Sequence, residues 1–234
     1  MTFMKNIENS LCIIPARGGS KRIPRKNIKQ FCGKPIIGYS IEAALKSELF
    51  DEVMVSTDDD EIAEIANTYG AKVPFMRSEE NASDFATSVD VLVEVINNYK
   101  KSGRKFSYCC CIYPTAPLIK VEKLESGYDK LRKDNFNVVF PVVNFSYPIW
   151  RGLKKTTKEN FEMLWPEHLN SRSQDLEDVY HDAGQWYWFK TDQMLKSKKL
   201  FGENTSCVIM ETTEVQDIDT LTDWKLAELK YELL

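Results

Sequence analysis

Residues 12–27 read CIIPARGGSKRIPRKN, a short apolar run that opens into a loop with two glycines, two prolines and several basic side chains. The apolar run has the pattern of a buried strand. In an open parallel sheet, ligands bind beyond the carboxyl ends of the strands. A cationic loop in that place therefore predicts an α/β protein that binds a polyphosphate. Between residues 9 and 41 no acidic residue offsets the basic ones, which are Arg17, Lys21, Arg22, Arg25, Lys26, Lys29 and Lys34.

The composition is that of an ordinary globular protein. The chain has 234 residues, 43% of them hydrophobic and 28% charged, which is enough for one large domain with a full core. A net charge of −4 argues against general nucleic-acid binding, and no apolar stretch approaches the roughly 20 residues of a membrane span. The first dozen residues lack the apolar core of a secretory signal. Six cysteines, three of them consecutive, match no zinc spacing, so we expect reduced thiols and a cytoplasmic protein that binds neither nucleic acid nor membranes.

Apolar segments alternate with amphipathic segments along most of the chain. This order predicts an α/β fold, a doubly wound and mainly parallel sheet with helices on both faces. Strands are predicted at 10–15, 52–57, 72–76, 108–114, 137–143 and 207–212. Helices are predicted at 34–47, 58–70, 87–101, 121–133 and 219–234.

One aromatic-rich segment, residues 144–190, interrupts the alternation. Its composition is typical of short β-structure and long loops. We interpret it as an insertion, a small arm that binds substrate or builds a dimer, within a single domain covering residues 1–234.

The basic loop has the features of a phosphate site. Gly18 and Gly19 let backbone amides approach an anion, and Arg17 and Lys21 supply charge-assisted hydrogen bonds. The spacing is neither that of a Walker A loop nor G-x-G-x-x-G, so a nicotinamide cofactor is not supported. The alternative is a solvated basic turn, which is the commoner role of a basic run.

A pair of aspartates stands near the end of the chain, in VQDIDTLTDW at 215–224. Asp217 and Asp219 alternate at the expected end of a strand, so both carboxylates can face the same side. Hard oxygen ligands beside a polyphosphate predict a magnesium site. The alternative is N-capping of the last helix, by Asp219 or by Thr220.

Two further motifs carry polar side chains. YPTAPL at 113–118 frames Thr115 with two prolines, which predicts a rigid turn after a strand. SRSQDLEDVYHDAGQWYW at 171–188 mixes polar groups with aromatic rings. That mixture suits recognition of an acidic, hydroxylated small molecule, and a dimer interface has a similar composition.

Taken in order, these motifs resemble the cytidylyltransferases that activate nonulosonic acids as CMP-sugars. The resemblance runs nearly end to end through IIPARGGSKRIPRKN, VSTDDDEIAEIA, RSEENASDFATS at 77–88, YPTAP, RSQD, HDAGQWYW and QDIDT. Within that family, the chain looks most like the pseudaminic acid group. Tyr113 stands where the sialic acid enzymes usually have glutamine, and His181 where they commonly have arginine.

The resemblance implies transfer of CMP from CTP to the anomeric hydroxyl of pseudaminic acid, a nine-carbon sugar acid, with release of pyrophosphate. It also implies Mg²⁺ bound by Asp217 and Asp219, a homodimer, and a role in flagellin glycosylation or cell-surface polysaccharide biosynthesis. The implied catalytic residues are Arg17, Lys21, Asp217 and Asp219. The implied nucleotide contacts are Ala16, Arg17, Gly18, Ser20, Lys21, Lys26, Asn27, Arg77 and Ser88. The implied sugar contacts are Tyr113, Arg172, Gln174, His181 and Gln185.

Two alternatives stay open at this point. A sialic acid, legionaminic acid or eight-carbon sugar acid in place of pseudaminic acid would require the same nucleotide chemistry. A nucleotide-binding regulatory protein without catalysis would retain the loop and lose turnover.

Overall fold

The computed structural model describes residues 9–234 of the chain. The expectation about a secretory signal falls largely on residues 1–8, which lie outside the described residues. Within residues 9–234, no helix is both long enough and apolar enough to cross a bilayer.

The chain forms one large sheet, two small hairpins and seven α-helices within the described residues. The strands are β1 (Ser10–Pro15), β2 (Gln30–Phe31), β3 (Lys34–Pro35), β4 (Glu52–Ser56), β5 (Tyr108–Ile112), β6 (Val138–Asn144), β7 (Leu153–Lys155), β8 (Phe161–Met163), β9 (Tyr180–Asp182), β10 (Trp186–Lys190) and β11 (Thr205–Met210). The helices are α1 (Ile36–Lys46), α2 (Asp60–Thr68), α3 (Glu79–Ala82), α4 (Ser88–Lys101), α5 (Val121–Lys133), α6 (Thr191–Ser197) and α7 (Leu221–Tyr231).

The large sheet has seven strands in the order β11-β6-β10-β5-β1-β4, with β9 paired to β6. β1 lies between two parallel neighbours, β4 and β5, and β11 is parallel to β6. β10 runs antiparallel between β5 and β6. The predicted α/β fold with a mainly parallel sheet is confirmed, and the antiparallel strands β9 and β10 make the sheet mixed. Because β1 and β5 are parallel neighbours, the loops that follow them leave the same edge of the sheet.

Two predicted strand boundaries differ from the structure. Residues 72–76 form no strand, only a single parallel bridge between Lys72 and Met54. Pro74, two residues on, has no amide hydrogen to continue the pairing. Residues 186–190, assigned to the inserted arm, instead form the buried strand β10 at the centre of the sheet. The arm therefore ends before this strand.

Side chains alternate between the two faces of the sheet, as the apolar strands require. On β5, Cys110 packs into one core cluster with Trp186 and Trp188. Cys109 and Cys111 pack into the cluster on the other face. All six cysteines are free thiols.

A third apolar cluster joins the basic loop to the end of the chain. It contains Ile23 from the loop and Ile218 from the segment before α7, both at most 1% exposed. Phe31, Ile36, Tyr39, Trp224 and Ala227 complete the cluster. Two segments almost 200 residues apart in sequence are thereby held side by side.

Gly127 on α5 gives a test of the core. A Cβ at this position would lie 2.5 Å from the buried Trp186 ring, which cannot move without displacing the sheet. We expect Gly127→Ala to destabilise the protein by about 1–3 kcal/mol, despite the higher helix propensity of alanine. The neighbouring exposed position Ser126 is the control, since Ser126→Ala adds propensity without a clash. Urea unfolding measures both variants, and equal stability of the two would contradict the packing described for Gly127.

Candidate active site

A cavity of about 560 Å³ lies at the carboxyl ends of β1 and β5. We call it the loop cavity, because the basic loop after β1 forms most of its wall. The turn after β5 and the segment before α7 close the rest. Its lining residues are Pro15, Arg17, Ser20, Lys21, Arg22, Ile23, Lys26, Asn27, Tyr113, Pro114, Thr115, Asp217 and Asp219.

Hydrogen bonds from neighbouring elements fix the loop backbone. The Gly18 amide donates to Asp58 Oδ1 at 3.0 Å, and Asn27 Nδ2 donates to the Arg17 carbonyl at 2.9 Å. Ala16, fully buried at the end of β1, donates its amide to the Ser56 carbonyl at 2.9 Å. The loop is therefore held in one conformation at both ends.

Arg25 holds the loop against α2 and does not line the loop cavity. It adopts left-handed backbone angles with φ 55°, and its guanidinium makes a two-point contact with Asp59, including Nη2 to Oδ1 at 2.9 Å. A second contact goes to Glu61. Asp59 also caps α2 by accepting from the Ile62 amide. The hydrogen bond from Arg25 lowers the pKa of the Asp59 carboxyl, so this ion pair persists at neutral pH.

The cations of the loop cavity already contact carboxylates. Asp84, in the loop after α3, accepts from Arg17 at 2.9 Å and from Lys21. Asp219 pairs with Arg22 at 2.6 Å and lies 3.7 Å from Lys26. These pairs are largely exposed and individually weak. A polyphosphate has the charge to replace Asp84 as the partner of Arg17 and Lys21.

Asp217 and Asp219 both line the loop cavity, and Ile218 between them is fully buried. The prediction that the two carboxylates share one side is confirmed. The prediction that they end a strand is wrong, because β11 ends at Met210 and a short 3₁₀ turn at 212–214 separates it from residues 215–219. The bend releases this extended segment from the sheet and places it against the loop.

The capping alternative is resolved in favour of Thr220. Its hydroxyl accepts from the Asp223 amide, and the Asp223 carboxylate accepts from the Thr220 amide in return. Asp219 is therefore not needed as the cap of α7.

Burial and mutual repulsion shape the charges of the aspartate pair. Burial, and then the nearby Asp219, raise the pKa of the Asp217 carboxyl. Burial lowers the pKa of the Lys26 ammonium, and both aspartates oppose that shift. Within residues 9–234 no group of three or more His, Cys, Asp or Glu side chains is arranged to hold a metal. A cation at the aspartates would need further ligands from substrate or water, which is the usual habit of Mg²⁺.

A second cavity of about 420 Å³, the adjoining cavity, meets the loop cavity at Asp217 and Asp219. His181 on β9 lies in its wall, with Nδ1 2.9 Å from the Asp182 carbonyl and its ring edge-on to Phe145. The complete lining is Val143, Asn144, Ser146, His181, Thr212, Val215, Gln216, Asp217, Asp219, Asp223 and Lys230.

Of the predicted nucleotide contacts, Arg17, Ser20, Lys21, Lys26 and Asn27 line the loop cavity. Arg77 is not among the lining residues; it is buried, and its Nε donates to Ser56 Oγ at 3.1 Å. Burial lowers the pKa of the Arg77 guanidinium. Ser88, at the start of α4, places Oγ 3.4 Å from the hydroxyl of Tyr113, which itself reaches the loop cavity.

Three predicted sugar contacts lie apart from the two joined cavities. Arg172 is exposed and bonds Asp175 at 2.6 and 3.0 Å. Gln174 lines a separate cavity of about 350 Å³ in the arm. Gln185 is buried, and its amide donates to the Glu214 carbonyl at 2.6 Å. Gln185 thereby supports the turn that leads to the aspartates.

The structure adds residues that the sequence reasoning did not assign to the site. Arg22, another basic residue of the loop, pairs with Asp219, and Asp84 pairs with Arg17 and Lys21. The acidic residue in SDFA at 83–86 could have signalled a partner for the basic loop, since the loop has none of its own. Lys230, in the last turn of α7, lines the adjoining cavity without any local sequence signal.

Comparisons with known proteins agree with this geometry. A family model described as cytidylyltransferase matches residues 11–221. The chain is 42% identical over 230 residues to the pseudaminic acid cytidylyltransferase of Campylobacter jejuni subsp. jejuni serotype O:2, covering 98% of this chain and 97% of that protein. It is 32% identical to the CMP-N,N'-diacetyllegionaminic acid synthase of Legionella pneumophila subsp. pneumophila, covering 95% and 96% respectively.

A solved structure confirms the fold. The CMP:2-keto-3-deoxy-manno-octonic acid synthetase complexed with CTP superposes with a TM-score of 0.72. The match covers 97% of this chain and 100% of that one at 20% identity. At that identity the similarity supports the fold and no statement about substrate.

The two loop glycines provide a matched test. A Cβ on Gly18 would lie 2.6 Å from Asp59 Oδ2, which Arg25 and the α2 cap hold in place, whereas a Cβ on Gly19 meets nothing within 4 Å. We expect Gly18→Ala to lower the melting temperature by roughly 2–10 °C and Gly19→Ala to leave it unchanged. Scanning calorimetry of both variants checks this, and a stable Gly18→Ala protein would contradict the described contact.

Proposed function

This chain belongs to the cytidylyltransferase family, and from that premise we propose that it transfers CMP from CTP to the anomeric hydroxyl of pseudaminic acid, releasing pyrophosphate. The observation that carries the proposal is the junction of the two cavities. The basic loop and the aspartate pair face each other across the loop cavity, and the adjoining cavity opens at the same aspartates.

The loop cavity suits the triphosphate of CTP. Arg17 and Lys21 would exchange Asp84 for phosphate oxygens, which carry more charge and more acceptor sites. Phosphoryl transfer depends mainly on positioning and on neutralising charge, so no covalent nucleophile is required of the protein. The oxygen of the sugar's anomeric hydroxyl forms a bond to the α-phosphorus and gives up its proton to water. Pyrophosphate leaves with the electron pair of the broken P–O bond.

We also propose that the enzyme uses Mg²⁺, held by Asp217 and Asp219. Two carboxylates at a polyphosphate site, with no further acidic ligand arranged around them in the described residues, fit an ion that takes its other ligands from phosphates and water. When bound, the ion supplies further neutralisation of phosphate charge. Asp219 would exchange its contacts with Arg22 and Lys26 for this role, which frees both cations for the nucleotide.

Pseudaminic acid is the proposed acceptor because the relative acting on it is more similar, at 42% identity, than the legionaminic acid relative at 32%. Tyr113 and His181, which distinguish the chain from the sialic acid pattern, line the loop cavity and the adjoining cavity respectively. The two positions that depart from that pattern therefore lie one in each of the cavities that meet at the aspartates.

A homodimer built through the arm is a further part of the proposal. The arm exposes large apolar side chains, including Tyr147 at 84% and Leu169 at 66%, together with Leu153, Phe161 and Leu164. Exposed apolar surface of this kind is typical of a protein interface. We also propose a cytoplasmic location, supported by the six free thiols and by the use of CTP.

The reaction is tested by measuring pyrophosphate release with CTP, Mg²⁺ and purified pseudaminic acid. Parallel reactions contain N-acetylneuraminic acid, legionaminic acid or an eight-carbon sugar acid. We expect kcat/KM to be highest for pseudaminic acid. Higher kcat/KM with another acid would reassign the acceptor, and CTP binding without turnover on any acid would favour the regulatory alternative.

The metal assignment predicts that Asp217→Asn and Asp219→Asn each lower kcat by about 100-fold or more, because a charge that stabilises the transition state is lost. Circular dichroism should show both variants folded. Asp129→Asn, on the exposed face of α5, is the control and should keep full activity. Chelation with EDTA should stop the wild-type reaction and added Mg²⁺ restore it. Near-normal turnover by either aspartate variant would overturn the assignment.

A further inference from the structure

We infer that Lys230 binds the carboxylate of the acceptor sugar acid in the adjoining cavity, an inference that rests on the function proposed above. Lys230 stands in the last turn of α7 and is the one lysine or arginine among the residues that line that cavity. The same lining contains the carboxylates of Asp217, Asp219 and Asp223. The cavity is acidic apart from this residue.

An anionic acceptor needs a cation at this place. A sugar acid enters with one negative charge, and three aspartates around the cavity would repel it at short range. The cations of the loop cavity would pair with the phosphates of CTP, which carry a higher charge density than the sugar carboxylate. Lys230 is thus positioned to compensate the carboxylate while the anomeric hydroxyl points toward the shared aspartates.

The ammonium of Lys230 has N–H donors available for a ligand. Nζ donates to the Val215 carbonyl at 2.6 Å, and a lysine ammonium carries three donors. No carboxylate of residues 9–234 forms an ion pair with Lys230, unlike Arg17, Lys21 and Arg22. Its half-buried stem fixes the direction of the charge, and burial lowers the pKa of the ammonium. An incoming carboxylate would offset the cost of that desolvation by its opposite charge.

His181, the other polar candidate in this wall, is less suited to the carboxylate. Its Nδ1 lies 2.9 Å from the Asp182 carbonyl, which can only accept, so Nδ1 carries the proton. In the neutral ring, Nε2 is then an acceptor. Such an acceptor suits a hydroxyl or amide N–H of the sugar. Lys230 would therefore bind the carboxylate of the acceptor, and His181 would accept a hydrogen bond from one of its hydroxyl or amide groups.

A purely structural role for Lys230 is the competing explanation. Through Val215 the ammonium braces the segment that carries Asp217, two residues further along. Loss of a brace would disturb the aspartates, and with them kcat, the KM for CTP and the thermal stability. Loss of a contact with the carboxylate would raise the KM for the sugar acid and leave the other quantities unchanged.

The test compares Lys230→Met, Lys230→Arg and Lys225→Met, the last being an exposed lysine on the same helix. Steady-state kinetics are measured with CTP and pseudaminic acid varied in turn, beside the wild type. We expect Lys230→Met to raise the KM for pseudaminic acid by about tenfold or more, equal to about 1.4 kcal/mol. The KM for CTP should stay within about twofold, Lys230→Arg should recover part of the loss, and Lys225→Met should match the wild type.

A second measurement identifies the group that Lys230 binds. The neutral carboxamide of pseudaminic acid is used as a competitive inhibitor of each protein. The wild type should bind the amide more weakly than the acid, and Lys230→Met should bind it no worse than the wild type does. An unchanged KM for the acid in an active Lys230→Met enzyme would overturn the inference and leave the proposed function intact. So would a raised KM for CTP together with a lowered melting temperature. Absence of turnover in the wild type would remove both.

Discussion

The site depends on one long-range packing arrangement, the apolar cluster that contains both Ile23 of the basic loop and Ile218 between the two aspartates. Both side chains are almost fully removed from water, and Lys26 reinforces the junction by donating to the Ile218 carbonyl at 2.7 Å. Burial of two isoleucines is worth roughly 3–6 kcal/mol, enough to fix a short irregular segment that has no strand partners. Because Ile218 points inward, its neighbours on either side must point outward into the cavity. The apolar contact therefore positions the acids, and no direct bond between the acids and the loop is needed for that.

Charge compensation has the same long-range origin. The loop contributes cations and no acids, and its partners come from three separate places in the fold: the start of α2, the loop after α3, and the segment before α7. The partners differ in their permanence. Arg25 is held by the capping residue of α2 at two points, which makes it part of the scaffold. Arg17, Lys21 and Arg22 are held by exposed carboxylates, so a ligand of higher charge can take them over. The scaffold thus stays rigid while the cations remain exchangeable.

Features that depend on neighbouring residues could be predicted from the sequence, and features that depend on tertiary packing could not. β1, its loop and the shared orientation of Asp217 and Asp219 were predictable, because each depends on alternation within a few residues. The place of β10 was not, since an aromatic strand becomes central only by pairing with β5 and β6 on either side. Arg172 and Gln185 share a polar motif, yet tertiary packing sends one to the surface and buries the other beneath the aspartates. The sequence did not indicate a functional role for Lys230, because lysine is common in the last turn of a helix.

This separation explains how one fold can serve different acceptors. The loop cavity is made of the loop after β1, the turn after β5 and the aspartate segment, all anchored to the sheet or to buried isoleucines. The adjoining cavity is walled by β9, the end of β6, the segment at 212–219 and side chains of α7. The CMP:2-keto-3-deoxy-manno-octonic acid synthetase shares the fold at 20% identity, so the fold alone does not determine which sugar acid is bound. Under the proposed function, the choice of sugar acid would then depend on side chains of the adjoining cavity such as His181 and Lys230, and not on the scaffold.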